Sequence, residues 1–200
     1  MQEALYDRAR PCEVSGARHV ACWYVSVSVR IFLSTVSGEF RDYRDQLRRD
    51  LTRHNVEVKV QEDFKDFGTV TLDKLDVYIT NCDAVVHLVG NRTGAAAKPE
   101  STKLMLAKYP DLPGRLPPLQ QPLADGLAIS YTQWEAWLAL YHGKLLVIAR
   151  AADSAPRGPN YAPTDAMRAG QSAHLARLAA VERRAGGSWR GRWPGAEAWW

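Results

Sequence analysis

Short β-type segments alternate with amphipathic helical segments along most of this chain. Four segments have the alternating or continuous apolar runs of strands, at residues 25–33, 56–60, 84–89 and 145–149. Between them apolar residues recur every three or four positions, as on the buried face of a helix. Because successive parallel strands must be joined by a crossover helix, this order predicts an α/β fold with a mostly parallel sheet. The predicted helices cover residues 40–51, 69–79, 131–141 and 165–184.

Residues 90–130 form a long connection between the third and fourth strands. Six prolines fall in it: Pro99, Pro110, Pro113, Pro117, Pro118 and Pro122. Since proline lacks a backbone N–H and disrupts helix interiors, we predict a largely non-helical insertion with one short helix over residues 101–109. The insertion lies on the presumed ligand side of the sheet. It is therefore interpreted either as a lid or partner-facing segment, or as a plain structured excursion.

The two ends of the chain differ from its middle. Residues 1–24 show no sustained periodicity and are predicted to be a loose extension, whereas residues 25–184 carry the α/β pattern of a single domain. Residues 185–200 are rich in glycine, arginine and tryptophan, which predicts an irregular tail.

Charge and cysteine content exclude several functions. Residues 151–200 carry +3 of the net charge of +4, so the body is nearly neutral and nucleic acid is an improbable partner. Three widely spaced cysteines form no disulfide framework, and no histidine pair has metal-ligand spacing, so no metal is expected. Apolar runs are too short to span a membrane. A cytoplasmic location is the expectation that follows.

Two side chains stand out as chemical candidates. Glu135 lies between Trp134 and Trp137 near the start of a predicted helix. The helix dipole alone would favour a carboxylate there, and the spacing favours that structural role. The aromatic setting would also desolvate the carboxylate and fit it for work at a sugar ring. His87, inside an apolar strand, is interpreted as a hydrogen-bonded core histidine.

Four motifs taken together carry a resemblance to a known family. They are RIFLST at residues 30–35, FRDYR at 40–44, NCDAVVHLVG at 81–90 and SYTQWEA at 130–136. In this order they resemble a bacterial TIR-like domain, of the kind found N-terminal to signalling NTPase and repeat regions. The likeness extends over residues 29–181. It implies a flavodoxin-like three-layer sandwich with strand order 2-1-3-4-5.

The resemblance also implies an activity and a site. Many TIR domains cleave NAD between nicotinamide and ribose with a glutamate on the helix before the fourth strand, a position that Glu135 occupies here. Its carboxylate would stabilise the oxocarbenium-like ribose. NAD would be the substrate, with no cofactor. The residues implied for substrate binding are Ser34, Thr35, Phe40, Asp63, Phe64, Phe67, Gly90 and Trp134.

Three functions are consistent with these observations. The first is a TIR-like NAD glycohydrolase, activated by self-association in a bacterial signalling or defence system. The second is a non-catalytic interaction module that binds like domains or the NTPase and repeat region of a parent protein. The third is an N-glycosidic transferase acting on nucleosides.

The C-terminal region departs from the family pattern. Relatives have a fifth strand after the helix that ends near residue 184, whereas residues 185–200 show no strand alternation. We therefore predict that the fifth strand is missing and that one edge of the fourth strand is open, which favours association or instability.

Overall fold

A computed structural model describes residues 28–60, 71–152, 154–159 and 161–184. Its strands are β1 (Val29–Ser34), β2 (Val56–Val60), β3 (Ala84–Val89) and β4 (Leu145–Arg150). Its helices are α1 (Ser37–Leu51), α2 (Thr71–Thr80), α3 (Pro99–Lys108), α4 (Leu112–Arg115), α5 (Pro117–Ala124), α6 (Tyr131–Tyr141) and α7 (Asp165–Arg184). The four strands form one parallel sheet in the order β2-β1-β3-β4. The predicted α/β, flavodoxin-like architecture is confirmed.

The two faces of the sheet bury separate apolar clusters. On one face Phe32 and Val85 pack with α2 and α6, whose Trp134 and Trp137 are among the largest fully buried side chains. On the other face the cluster is smaller, and Leu33 with its strand neighbours packs against the apolar side of α1. The side chains of successive residues in a strand point to opposite faces, so Phe32 and Leu33 belong to different cores.

The insertion between β3 and β4 is more helical than predicted. Three helices, α3, α4 and α5, replace the expected loop, and the single helix predicted over residues 101–109 is displaced to Pro99–Lys108. The prolines permit this because each of these helices has proline at its first or second position, where a backbone N–H has no helical acceptor in any case. Pro122 alone lies inside a helix.

The insertion packs into the main core rather than standing apart from it. Met105, Leu112 and Leu119 are all at most 2% exposed and join the cluster around α2 and α6. Of the two interpretations of this segment, a lid or partner-facing segment and a plain structured excursion, the packing agrees with the second.

A polar junction fastens the insertion to α2 and α6. The carboxylate of Asp76 accepts hydrogen bonds from the Tyr109 hydroxyl at 2.8 Å and the His142 ring at 2.6 Å, and it pairs with Lys108 at 2.8 Å. Burial acts to raise the pKa of Asp76, but these partners outweigh it and the net pKa is lowered. The same junction raises the pKa of Tyr109 to about 12, through burial and the bond to Asp76. His142 also ends α6, and Gly143 follows with a positive φ of 66°.

Strand β4 is largely exposed although its sequence is apolar up to Arg150. Leu145 is 48% exposed and Ile148 is 42% exposed. The cause is the strand's place in the sheet, because β4 pairs with β3 on one side, and no strand among the described residues pairs with its other side. Residues 185–200, in which a fifth strand was sought, lie outside the described residues, as does the predicted extension at 1–24.

Helix α7 turns a partly polar side to the core. Among the side chains of α7 that the structure describes, the buried ones are those of Gln171, His174 and Leu178. The side-chain amide of Gln133 donates to Gln171 at 2.9 Å, which ties α7 to α6. No helix in the described part of the chain is both long and apolar enough to cross a membrane.

Candidate functional site at the carboxyl edge of the sheet

Parallel α/β sheets bind ligands beyond the carboxyl ends of their strands, at the point where the strand order reverses. In the order β2-β1-β3-β4 this switch point lies between β1 and β3, because the chain moves outward from β1 in both directions. The segments that leave β1, β3 and β4 meet at this edge.

A protein carboxylate fills this crevice. Glu39, near the start of α1, accepts hydrogen bonds from the backbone N–H of Asn91 at 3.0 and 3.1 Å and of Arg92 at 2.9 Å. It also pairs with Nε of Arg157 at 3.1 Å. The Glu39 side chain is 0% exposed and that of Arg157 is 9% exposed. The carboxylate of Glu39, which follows β1, thus joins residues that follow β3 and β4.

Local backbone features bring Glu39 to this position. Phe40 has non-helical dihedrals (φ −129°, ψ 28°), which separate the first turn of α1 from the rest of the helix. Gly90 ends β3 directly beneath the carboxylate, and a Cβ there would overlap the Glu39 carboxyl group. On the far side, the backbone N–H of Gly158 donates to the Glu39 carbonyl at 3.3 Å. Glu39 is therefore held by both its side chain and its main chain.

Arg157 has all of its guanidinium nitrogens engaged. Besides the Glu39 contact, Nη1 donates to the Ala155 carbonyl at 2.7 Å and Nη2 to the Ala152 carbonyl at 3.0 Å. The guanidinium also lies over the Phe40 ring, 4.9 Å from its centroid. Because a guanidinium is planar with donors fixed in direction, this arrangement sets the path of the chain after β4.

An open cleft of about 680 Å³ lies over the first turns of α1. It is lined by Ser37, Gly38, Glu39, Arg41, Asp42, Tyr43, Gln46, Pro156, Arg157, Gly158 and Pro159. Arg41, Asp42 and Gln46 are exposed on its wall. The cleft borders the switch point, with Glu39 and Arg157 between it and the strand ends.

Four of the residues implied for substrate binding lie at this edge, and three of them are buried. Ser34 is 1% exposed, and its hydroxyl is hydrogen-bonded to Nδ1 of His87 at 2.7 Å. Thr35 is 7% exposed and Phe40 is 4% exposed. Gly90 packs against Glu39. The residues that line the cleft do not include Ser34, Thr35 or Gly90.

The implied catalytic residue lies in the core. A capping box begins α6, in which Ser130 Oγ accepts from the Gln133 N–H and Gln133 Oε1 accepts from the Ser130 N–H, each at 3.2 Å. Glu135 is the fifth residue of this helix and is 1% exposed, and Trp134 is 0% exposed. Neither residue lines the 680 Å³ cleft. Asp63, Phe64 and Phe67 lie outside the described residues, so their implied roles stay predictions.

His87 is a core histidine with partners on both ring nitrogens. Its Nδ1 meets Ser34, and its Nε2 lies 3.2 Å from Nε2 of His174. Burial lowers the pKa of His87 to about 4. Burial also lowers the pKa of His174 to about 3, and the nearby His87 and Arg177 add to the effect. Both imidazoles are therefore neutral near pH 7, and one ring donates its proton to the other.

Sequence reasoning missed both Glu39 and Arg157. A glutamate in the first turn of a helix is common because the helix dipole favours it, so Glu39 gave no distinct signal. Arg157 follows the fourth strand, in a loop with no motif. The one available signal was Gly90 immediately after an apolar strand, since a glycine there permits a close approach by another group.

No family model, curated protein or solved structure matches the chain in comparisons with known proteins.

Replacing Gly90 by alanine tests the packing beneath Glu39. We expect Gly90→Ala to lower the free energy of unfolding by about 1–3 kcal/mol, because the added methyl group must displace the carboxylate from its donors. Gly114→Ala is the matched control. Its Cβ would meet no atom within 4 Å, so that variant should keep the wild-type stability or gain up to ~1 kcal/mol. Urea unfolding measures both, and equal losses would contradict this account of Gly90.

The buried histidine pair predicts an acid-labile fold. In the folded protein the pKa values of His87 and His174, about 4 and about 3, lie below the ordinary value of 6.5. At pH values between these folded pKa values and 6.5, the unfolded chain therefore binds more protons than the folded protein does. Stability is therefore complete above about pH 6.5 and is lost as the pH falls toward 4. When the pH is lowered from about 7 to about 5, each histidine should reduce the free energy of unfolding by roughly 2 kcal/mol.

Urea unfolding at the two pH values checks this expectation. His174→Leu should weaken the pH dependence, whereas the exposed His54→Gln should leave it unchanged. If the free energy of unfolding of His174→Leu changed with pH as much as that of the wild type, the histidine pair would not be the cause of the pH dependence.

Proposed function

We propose that this chain is a protein-interaction module of TIR-like type that associates with a second copy of itself through the edge of β4 with which no described strand pairs. The observation that carries this proposal is the exposure of Leu145 and Ile148 on an edge strand, at 48% and 42%. An edge strand offers a row of backbone N–H and C=O groups for pairing with another strand.

The two edges of the sheet differ in how they are protected. The outer strand at the opposite edge, β2, carries Glu57 and Lys59, which form an ion pair at 2.8 Å. Charged side chains of this kind discourage pairing with another chain. β4 has no charge before its last residue, Arg150, and it contains no proline. The contrast favours β4 as the associating edge.

A second copy is the simplest occupant of this edge. Two identical strands can pair antiparallel across a twofold axis, which is the commonest symmetry of homo-oligomers.

A small-molecule role is less well supported, because the switch-point crevice holds Glu39 and its three donor residues. Glu135 is 1% exposed within the core.

TIR-type NAD glycohydrolase activity is the second candidate. The observation in its favour is that Glu135 is a buried carboxylate beside Trp134, on the helix that precedes β4. A carboxylate in such an apolar setting can stabilise a positively charged ribose strongly, provided that a conformational change admits the substrate. In this proposal NAD is the substrate, and association would favour the open state.

Association should depend on concentration and on β4. We expect the apparent mass in light scattering to rise with protein concentration, and Ile148→Glu to shift the equilibrium toward monomer by about tenfold or more, because a charged side chain on an edge strand discourages pairing with another strand. Val77→Glu and Leu104→Glu are controls, since both residues are exposed but lie on helices. A monomer at all concentrations, or equal effects of the three changes, would contradict the proposal.

NAD turnover distinguishes the two candidates. For the interaction module, purified protein should release no nicotinamide from NAD above background, and Glu135→Gln should associate as the wild type does. For the glycohydrolase, nicotinamide should appear at concentrations where the protein associates and should be lost in Glu135→Gln. Release that persists in Glu135→Gln would exclude Glu135 as the catalytic group.

A further inference from the structure

We propose that Glu39 is a latch. Its carboxylate is the resident anion of a site formed by the backbone N–H groups of Asn91 and Arg92 and the guanidinium of Arg157. The site accepts an external carboxylate or phosphate group only when Glu39 leaves. This inference concerns the switch-point crevice and is independent of the association through β4.

The donors form a cradle suited to one small anion. Two successive backbone N–H groups and one guanidinium N–H point at the same carboxylate, at distances of 2.9–3.1 Å. Successive backbone N–H groups that converge in this way are a recurrent anion-binding arrangement, and arginine adds a matching positive charge. Gly90 leaves room for the anion to approach the backbone at the end of β3.

The cradle belongs to segments other than the one that supplies its anion. Asn91 and Arg92 follow β3 and Arg157 follows β4, whereas Glu39 comes from the first turn of α1. Non-helical dihedrals at Phe40 separate that turn from the remainder of the helix. The turn can therefore move with little disturbance of the helix beyond it, and the donors would remain in place.

Charge balance favours replacement by another anion rather than by water. With Glu39 in place, the buried guanidinium of Arg157 is compensated. With Glu39 gone, Nε of Arg157 and two backbone N–H groups would lack their acceptor, and the guanidinium of a side chain that is 9% exposed would lose its negative partner. A buried uncompensated charge is costly, so a carboxylate or phosphate that can enter from the adjoining cleft should bind.

The contacts of Glu39 could also serve stability alone. Both interpretations predict that loss of the carboxylate destabilises the protein. Only the latch predicts that a free anion restores the loss, because only then does the cradle persist as a binding site without Glu39.

Chemical rescue of Glu39→Ala tests the proposal. Thermal unfolding is measured for the wild type and the variant with added sodium acetate or sodium phosphate, against sodium chloride at the same ionic strength. We expect the unfolding temperature of Glu39→Ala to rise saturably by about 3 °C or more relative to chloride, and that of the wild type to change by less than about 1 °C. The stronger of the two anions identifies the ligand class as carboxylate or phosphate.

A second substitution locates the effect. Glu39→Ala combined with Arg157→Leu should lose the rescue, because the positive donor is gone. Rescue by neither anion, or equal rescue of the wild type, would overturn the proposal.

Glu39→Gln serves if Glu39→Ala does not fold. Its amide cannot pair with Arg157 as a carboxylate does, so hydrogen exchange at the Asn91 and Arg92 amides should quicken and be slowed again by saturating acetate. Exchange that stays at the wild-type rate, or that acetate does not slow, would equally overturn the proposal.

Discussion

A single carboxylate organises the carboxyl edge of this sheet. Glu39 joins the segments after β1, β3 and β4 through the Asn91 and Arg92 amides and the Arg157 guanidinium. Without an anion at this position the three donors would lack an acceptor, so the segments after β3 and β4 depend on Glu39 for these hydrogen bonds. The crevice in which folds of this type hold ligands is thus occupied from within the chain.

Much of the architecture could be predicted from periodicity. The bounds of β2, β3, α6 and α7 agree with the sequence, because each segment is strongly periodic or continuously apolar and ends at a turn signal. In the proline-rich insertion one helix was predicted, at residues 101–109, within two residues of α3, whereas α4 and α5 were missed. Proline was expected to disrupt helices because it is unfavourable in a helix interior. In α3, α4 and α5 it lies mainly at the first positions, where this effect is absent.

The candidate site was harder to predict because its key contacts are long-range. Glu39 and Arg157 are 118 positions apart, and neither has a local motif. Sequence alone also does not distinguish a buried β-strand from an apolar edge strand, so the exposure of Leu145 and Ile148 could not be predicted from the apolar run. The glutamate implied by family resemblance, Glu135, was placed on the correct helix, but its burial depends on packing by several elements.

The orientation of β4 limits what a pair of these domains can build. Antiparallel pairing of two β4 edges would join two four-stranded sheets whose strands run in opposite directions. The two Glu39 crevices would then open at opposite ends of the joined sheet, too far apart to share a ligand. A site that draws residues from both copies would need a different contact surface. A dimer formed through β4 would instead present two independent Glu39 crevices that face in opposite directions.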